Sequence, residues 1–138
     1  MSHQGYPREL RLLTAGDYRR VFETAAFKVH GRGLMALASA NALGHPRLGL
    51  IFSKKNVRRA VDRNRLKRIV RESIRLQQHR LPAVDIVVLA RRGAHELDNA
   101  TVHRQLHGMW RRLEREARKS TPALDLPGQQ DDNAERKR

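Results

Sequence analysis

The sequence predicts a single α+β domain of three helices and four strands in the order αβββαβα. Three observations carry that expectation. At 138 residues, with 39% hydrophobic residues, the chain can build one compact core and is too short for two. Its apolar residues recur at helical spacing in three segments and form strand-length runs in four. Glycine- and proline-bearing turns separate the first three of those runs.

Residues 1–7 read as a flexible lead, and the domain is expected over 8–118. The first helix runs from Ala15 to about Ala25. Thr14 can cap it, with Asp17 three residues later in a weaker form of the capping box. Tyr18, Val21, Phe22 and Ala25 share one face. Ala26 to His30 reads as a strand, turned at Gly31-Arg32-Gly33. Leu34 to Ala40 is a second strand, closed by Asn41 to Pro46, and Arg47 to Ser53 is a third. These short turns predict an antiparallel meander.

A helix then begins at about Ala60. At 100° per residue, Leu66, Ile69, Val70, Ser73 and Ile74 gather on one arc, and Asn64, Arg65, Arg68, Arg71 and Arg75 on the opposite one. Ala60 and Val61 fall outside the apolar arc, which assigns Lys54 to Arg59 to a loop or first turn. Pro82 helps to end the region. Asp85 to Ala90 is continuously apolar after its first residue, as expected of a strand buried on both faces. If it neighbours the third strand, the intervening helix makes a parallel crossover, a unit that is right-handed in the great majority of proteins. Arg91 to Leu97 is a loop. The last helix starts near Asp98 or Asn99, either a good cap, with Val102, Leu106, Met109, Leu113 and Ala117 inward. Residues 119–138 are polar, contain Pro122, Pro127 and Gly128, and read as a disordered tail.

The charge is uneven. Of the chain's net +15, a net +8 lies in Lys54 to Arg75, where ten of twenty-two residues are Lys or Arg against Asp62 and Glu72. A solvated helix face usually alternates its signs. Here like charges such as Arg71 and Arg75 stand at i,i+4 and repel, so a polyanionic partner explains the pattern better than solubility. Arginine suits bidentate phosphate contacts and stacking. The candidate phosphate-binding residues are Lys54, Lys55, Arg58, Arg59, Arg63, Arg65, Lys67, Arg68 and Arg71. Asn64 joins them as the group that both donates and accepts, toward a base edge, a sugar hydroxyl or a helix cap.

Six aromatic residues are present: Tyr6, Tyr18, Phe22, Phe27, Phe52 and Trp110. Tyr18 and Phe22 either pack into the core or line a groove where unpaired bases stack. Trp110 is expected to pack. His103 and His107 stand at i,i+4 with Arg104 where a zinc protease would carry glutamate. No metal role is expected of them, and partial protonation near RNA suits them better. No nucleophile–base set and no glycine-rich phosphate loop can be assembled, so no catalytic residue is expected. The chain has no cysteine, which excludes disulfides and thiolate chemistry and fits a cytoplasmic protein. Its apolar runs are too short to span a membrane, and no signal-peptide pattern opens the chain.

The run Leu48-Gly49-Leu50 to Ser53, Lys54-Lys55, Ala60-Val61, Arg63-Asn64-Arg65, Lys67-Arg68 and Arg71-Glu72-Ser73 closely resembles the protein component of bacterial ribonuclease P. Asp17-Tyr18 to Val21-Phe22, Asp85 to Ala90 with Arg91-Arg92, and Asp98-Asn99 to Trp110-Arg111-Arg112 extend the resemblance over about residues 8–118. Two stretches differ, the first from many members and the second from some. Asn56-Val57-Arg58-Arg59 stands where a glycine follows the double lysine, and Leu34 to Leu37 lacks an aromatic.

The resemblance implies a mixed four-stranded sheet packed by helices, of the ribosomal protein S5 domain 2-like kind, with an exceptional left-handed βαβ crossover. It implies the protein subunit of a ribozyme that removes the 5′ leader of precursor tRNA, with Mg2+ required by the RNA-based reaction. The RNA subunit would be touched by Arg63, Asn64, Arg65, Lys67 and Arg68. Tyr18 and Phe22 would line the leader cleft. The implied partners are ribonuclease P RNA and the precursor leader, with no obligate protein partner. The remaining alternative is a structural RNA-binding protein with no role in cleavage.

Overall fold

Helix α1 (Ala15–Thr24) begins at a full capping box in the computed structural model, which describes residues 10–12 and 14–120. Thr14 Oγ1 accepts from the Asp17 amide at 3.0 Å, and Asp17 Oδ2 accepts from the Thr14 amide at 3.1 Å. Three strands follow: β1 (Phe27–Gly31), β2 (Leu34–Ala40) and β3 (Arg47–Ile51). Then come α2 (Ala60–Gln77), β4 (Val84–Ala90) and α3 (Asn99–Ser120). Short 3-10 turns at Gln78–Arg80 and Ala94–Glu96 close α2 and precede α3. The expected lead, 1–7, and most of the expected tail, 119–138, lie outside the described residues. Lys119 and Ser120 are the exception: they continue α3 instead of starting a tail. Among the described residues, no helix is long and apolar enough to cross a membrane.

The sheet is mixed, in the order β1-β2-β4-β3. Strands β1 and β2 form an antiparallel hairpin, β2 pairs antiparallel with β4, and β3 pairs parallel with β4. The β3–α2–β4 unit is thus the expected parallel crossover, but the three-strand meander does not form. Strand β4 enters between β2 and β3. The physical reason lies in composition. VDIVVLA is buried at six of seven positions and needs neighbours on both edges. RLGLI carries an arginine and a glycine, and takes the outside. Strand β3 also stops at Ile51, two residues early, because Ser53 starts a turn in which its carbonyl accepts from Asn56 and Val57.

Alternation along the strands gives the sheet two faces. One carries Leu34, Ala36, Ala38, Ile86 and Val88, and packs on Leu66, Ile69, Val70 and Ile74 of α2 and Leu106, Met109 and Leu113 of α3. Trp110 belongs to this core and donates through Nε1 to Ser73 Oγ at 2.8 Å, so the one polar residue on α2's apolar arc is satisfied. The other face carries α1: Val21 packs with Leu37, Val87 and Leu12, with Tyr18, Ala25, Ile51 and Leu89 at the margin.

The outer edge of β3 is covered. Leu12 donates to the Leu48 carbonyl at 2.9 Å, and the Leu50 amide donates to the Tyr18 hydroxyl at 3.2 Å. Beside them, Asp85 is buried in β4 and accepts from Arg47 Nε at 2.9 Å and Nη2 at 2.8 Å, and from Asn41 Nδ2 at 2.8 Å. That carboxylate raises the Arg47 pKa further above its ordinary value, chiefly through the hydrogen bond. The pair locks the parallel register, since Arg47 and Asp85 face each other across β3 and β4.

Candidate nucleic-acid interface

The apolar arc of α2 is spent on the core, which turns its opposite arc outward. Asn64, Arg68, Arg71 and Arg75 are exposed, and Arg63, Arg65 and Lys67 are half-buried. Lys54, Lys55, Arg58 and Arg59 lie exposed in the loop before the helix, as expected, and Arg59 is its N-terminal flanking residue. Val57, fully buried, anchors that loop to the core. Asn56 also ties it to the sheet, donating to the Ala90 carbonyl at 3.0 Å.

The cations of this surface differ in how they are held. Arg63 Nη1 donates to the Val57 carbonyl at 3.0 Å and to the Arg58 carbonyl at 2.9 Å, so it clamps the basic loop onto the helix. Arg65 reaches away from α2, to Asn99 Oδ1 at 2.7 Å and the His95 carbonyl at 3.2 Å. Asn64 lies between them, exposed. A cavity of about 260 Å³ opens among Lys55, Asn56, Arg58, Arg59, Asp62 and His95.

Density of unpaired charge is what distinguishes this face, with ten lysines and arginines in the twenty-two residues from Lys54 to Arg75. Among the described residues, ion pairs engage Arg20, Arg47, His95, Arg118 and Lys119, and none engages a lysine or arginine between Lys54 and Arg75. The cations stand side by side without an ion pair among the described residues, so the surface attracts polyanions.

On the sheet's other face the two candidate aromatics part. Tyr18 lies flat against β3: a Cβ on Gly49 would stand 2.6 Å from its ring. Its hydroxyl serves the strand edge. Phe22, one turn later, is 46% exposed. Helix α1 covers the level of the sheet that holds Leu37 and Val87. The next level, His30–Met35–Leu89–Ile51, is only partly covered: His30 is exposed and the other three are half-buried. This leaves an apolar strip with a polar margin beside α1.

His103 and His107 line a shallow groove of about 350 Å³ with Ser73, Leu76, Gln77 and Arg104. Among the described residues, no three His, Cys, Asp or Glu side chains gather in a way that could hold a metal ion. Sequence reasoning singled out neither the Arg47–Asp85–Asn41 cluster nor Asn99 as a partner of Arg65. Both are contacts across more than thirty residues, and no local periodicity marks them.

Comparison with known proteins adds an independent line. Residues 6–114 match the family model described as Ribonuclease P. The ribonuclease P protein component of Chromohalobacter salexigens is 74% identical over 123 residues, 89% of this chain and 96% of that protein. The corresponding protein of Marinobacter nauticus is 54% identical over 117 residues, 85% and 88% of the two chains. Among solved structures, the RNase P protein of Staphylococcus aureus superposes with a TM-score of 0.69 at 28% identity, covering 74% of this chain and 93% of that one. That of Thermotoga maritima gives 0.66 at 30% identity, covering 74% and 96%.

Proposed function

The chain belongs to the ribonuclease P protein family, and from that premise we propose that it is the protein subunit of a tRNA-processing ribonucleoprotein. In this reading it binds the catalytic RNA and the 5′ leader of precursor tRNA, and assists endonucleolytic removal of the leader in the cytoplasm. The observation that carries it is the dense set of ten arginines and lysines from Lys54 to Arg75, none of them in an ion pair among the described residues.

The physics is electrostatic. Two RNAs brought together repel, and an array of fixed cations lowers that repulsion while releasing condensed counterions. Lys54, Lys55, Arg58 and Arg59 on the loop, with Asn64, Lys67, Arg68 and Arg71 on α2, supply the RNA-facing groups. Arg63 and Arg65 set the geometry and keep spare donors of their own. The reaction centre belongs to the RNA in this reading, and Mg2+ is held there, so the protein contributes affinity and placement and no proton transfer. The leader lies along the strip beside α1, where Phe22 offers a stacking surface and Tyr18 forms the fixed wall.

Mixing the full chain with a bacterial ribonuclease P RNA and precursor tRNA at low magnesium tests the proposal. Leader removal should accelerate, and binding in the presence of the RNA subunit should favour precursor over mature tRNA. RNA binding without any gain in cleavage would leave only a structural RNA-binding protein. Equal affinity for the two tRNAs would rule out the strip beside α1 as a leader site.

A further inference from the structure

Arg65 is held by groups far along the chain. Its Nη1 donates to Asn99 Oδ1 at 2.7 Å and its Nη2 to the His95 carbonyl at 3.2 Å. Both acceptors sit at the entry to α3, and nothing in α2 itself requires them. Asn99 is the first residue of α3, yet its side chain is not needed as the cap. Asp98 Oδ1 already accepts from the Thr101 amide at 2.8 Å, which leaves the Asn99 amide oxygen for Arg65.

Holding matters for a long cation. A free arginine loses much rotamer freedom when it meets a phosphate, and one already oriented loses less. A guanidinium carries five N–H donors. Two are engaged at α3, so the others remain for a ligand. Arg68, one turn further along the same arc of α2, has no such brace among the described hydrogen bonds and is exposed.

We propose that Asn99 is a positioning residue for RNA binding: it braces the Arg65 guanidinium against the start of α3 so that the spare donors meet a phosphate of the bound RNA. This rests on the RNA-binding reading above.

Equilibrium binding of the full chain to transcribed bacterial ribonuclease P RNA, over a salt series, tests it. The wild type is compared with Asn99→Ala, Arg65→Ala and the double substitution. Arg65→Ala should flatten the slope of log K against log salt by about 0.7–0.9, one phosphate's worth. Asn99→Ala removes no charge. It should nevertheless weaken binding roughly 3- to 10-fold and flatten the slope by part of the same amount. The double substitution should behave as Arg65→Ala alone, and all the variants should melt close to the wild type because Asn99 is exposed and Arg65, half-buried, lies outside the apolar core. A slope untouched by Asn99→Ala overturns the proposal, as does a double substitution whose losses simply add. An Arg65→Ala slope equal to the wild type's overturns it as well. Failure of the wild type to bind the RNA is a separate result, which overturns the RNA-binding reading itself and this inference with it.

Discussion

Replacing Gly49 by alanine should push Tyr18 off the sheet. The added Cβ would stand 2.6 Å from Tyr18 Cε2, 2.7 Å from Cζ and 2.8 Å from the hydroxyl oxygen. Ordinary contact begins at about 3.4 Å, so the ring must withdraw by about 0.8 Å. Its hydrogen bond from the Leu50 amide is already 3.2 Å long, and a shift of that size breaks it. Overpacking costs about 1–3 kcal/mol, and the lost hydrogen bond about 0.5–1.5 kcal/mol. The sum, about 1.5–4.5 kcal/mol, corresponds to a fall in Tm of roughly 6–18 °C for a domain of this size. Urea and thermal unfolding of Gly49→Ala, with Tyr18→Phe as the hydrogen-bond control, measure both parts. The phenylalanine variant should lose only about 1 kcal/mol. A Gly49→Ala protein that melts within about 2 °C of the wild type would refute the claim that the tyrosine ring is seated on this glycine, and with it the fixed wall assigned to Tyr18.

Phe22→Ala should weaken precursor tRNA binding by about 1–3 kcal/mol, one stacked base's worth, while mature tRNA binding and stability stay nearly unchanged; equal losses for both tRNAs would count against a leader contact. Arg47→Ala leaves the buried Asp85 carboxylate without its cation and should destabilise by about 3 kcal/mol, read by chemical denaturation, and a loss under about 1 kcal/mol would make the pair a surface-like one. The Asp98 carboxyl, which accepts from the Thr101 hydroxyl and then from the Thr101 amide, titrates below its ordinary 3.8. Because its folded pKa is depressed, the stabilisation by this cap is present above 3.8 and is lost as pH falls through the lower folded value. An NMR titration that finds the carboxyl at or above 3.8 contradicts the cap.

Local chemistry made part of this molecule legible in its sequence and left the rest hidden, for identifiable reasons. The two arcs of α2, the start at Ala60, the capping box of α1 and the outward basic face all arise from short-range periodicity and capping chemistry, and the structure has them. Burial of β4 on both faces is legible too. A strand so buried sits between two others, and the expected meander, built from turn lengths alone, leaves no room for it there. Pairing across long stretches of chain leaves no local trace, so Arg47 with Asp85 and Arg65 with Asn99 emerge only in three dimensions. Tyr18 and Phe22 share one helical face in the sequence. Their different fates depend on Gly49, a small residue on a distant strand that lets only the first ring lie flat.

That the cations from Lys54 to Arg75 bind RNA in a cleavage-competent assembly is best challenged by reversing charge where no side chain is needed for the fold. Arg68 and Arg71 are exposed on α2, so Arg68→Glu with Arg71→Glu should leave thermal unfolding close to the wild type. The measurement is the rate of leader removal from precursor tRNA by a bacterial ribonuclease P RNA at limiting magnesium, with each protein titrated in. The wild type should accelerate cleavage, and the reversed protein should give little or no acceleration until magnesium is raised. Equal acceleration by the two proteins at the same low magnesium would show that this basic face is not what brings the RNAs together.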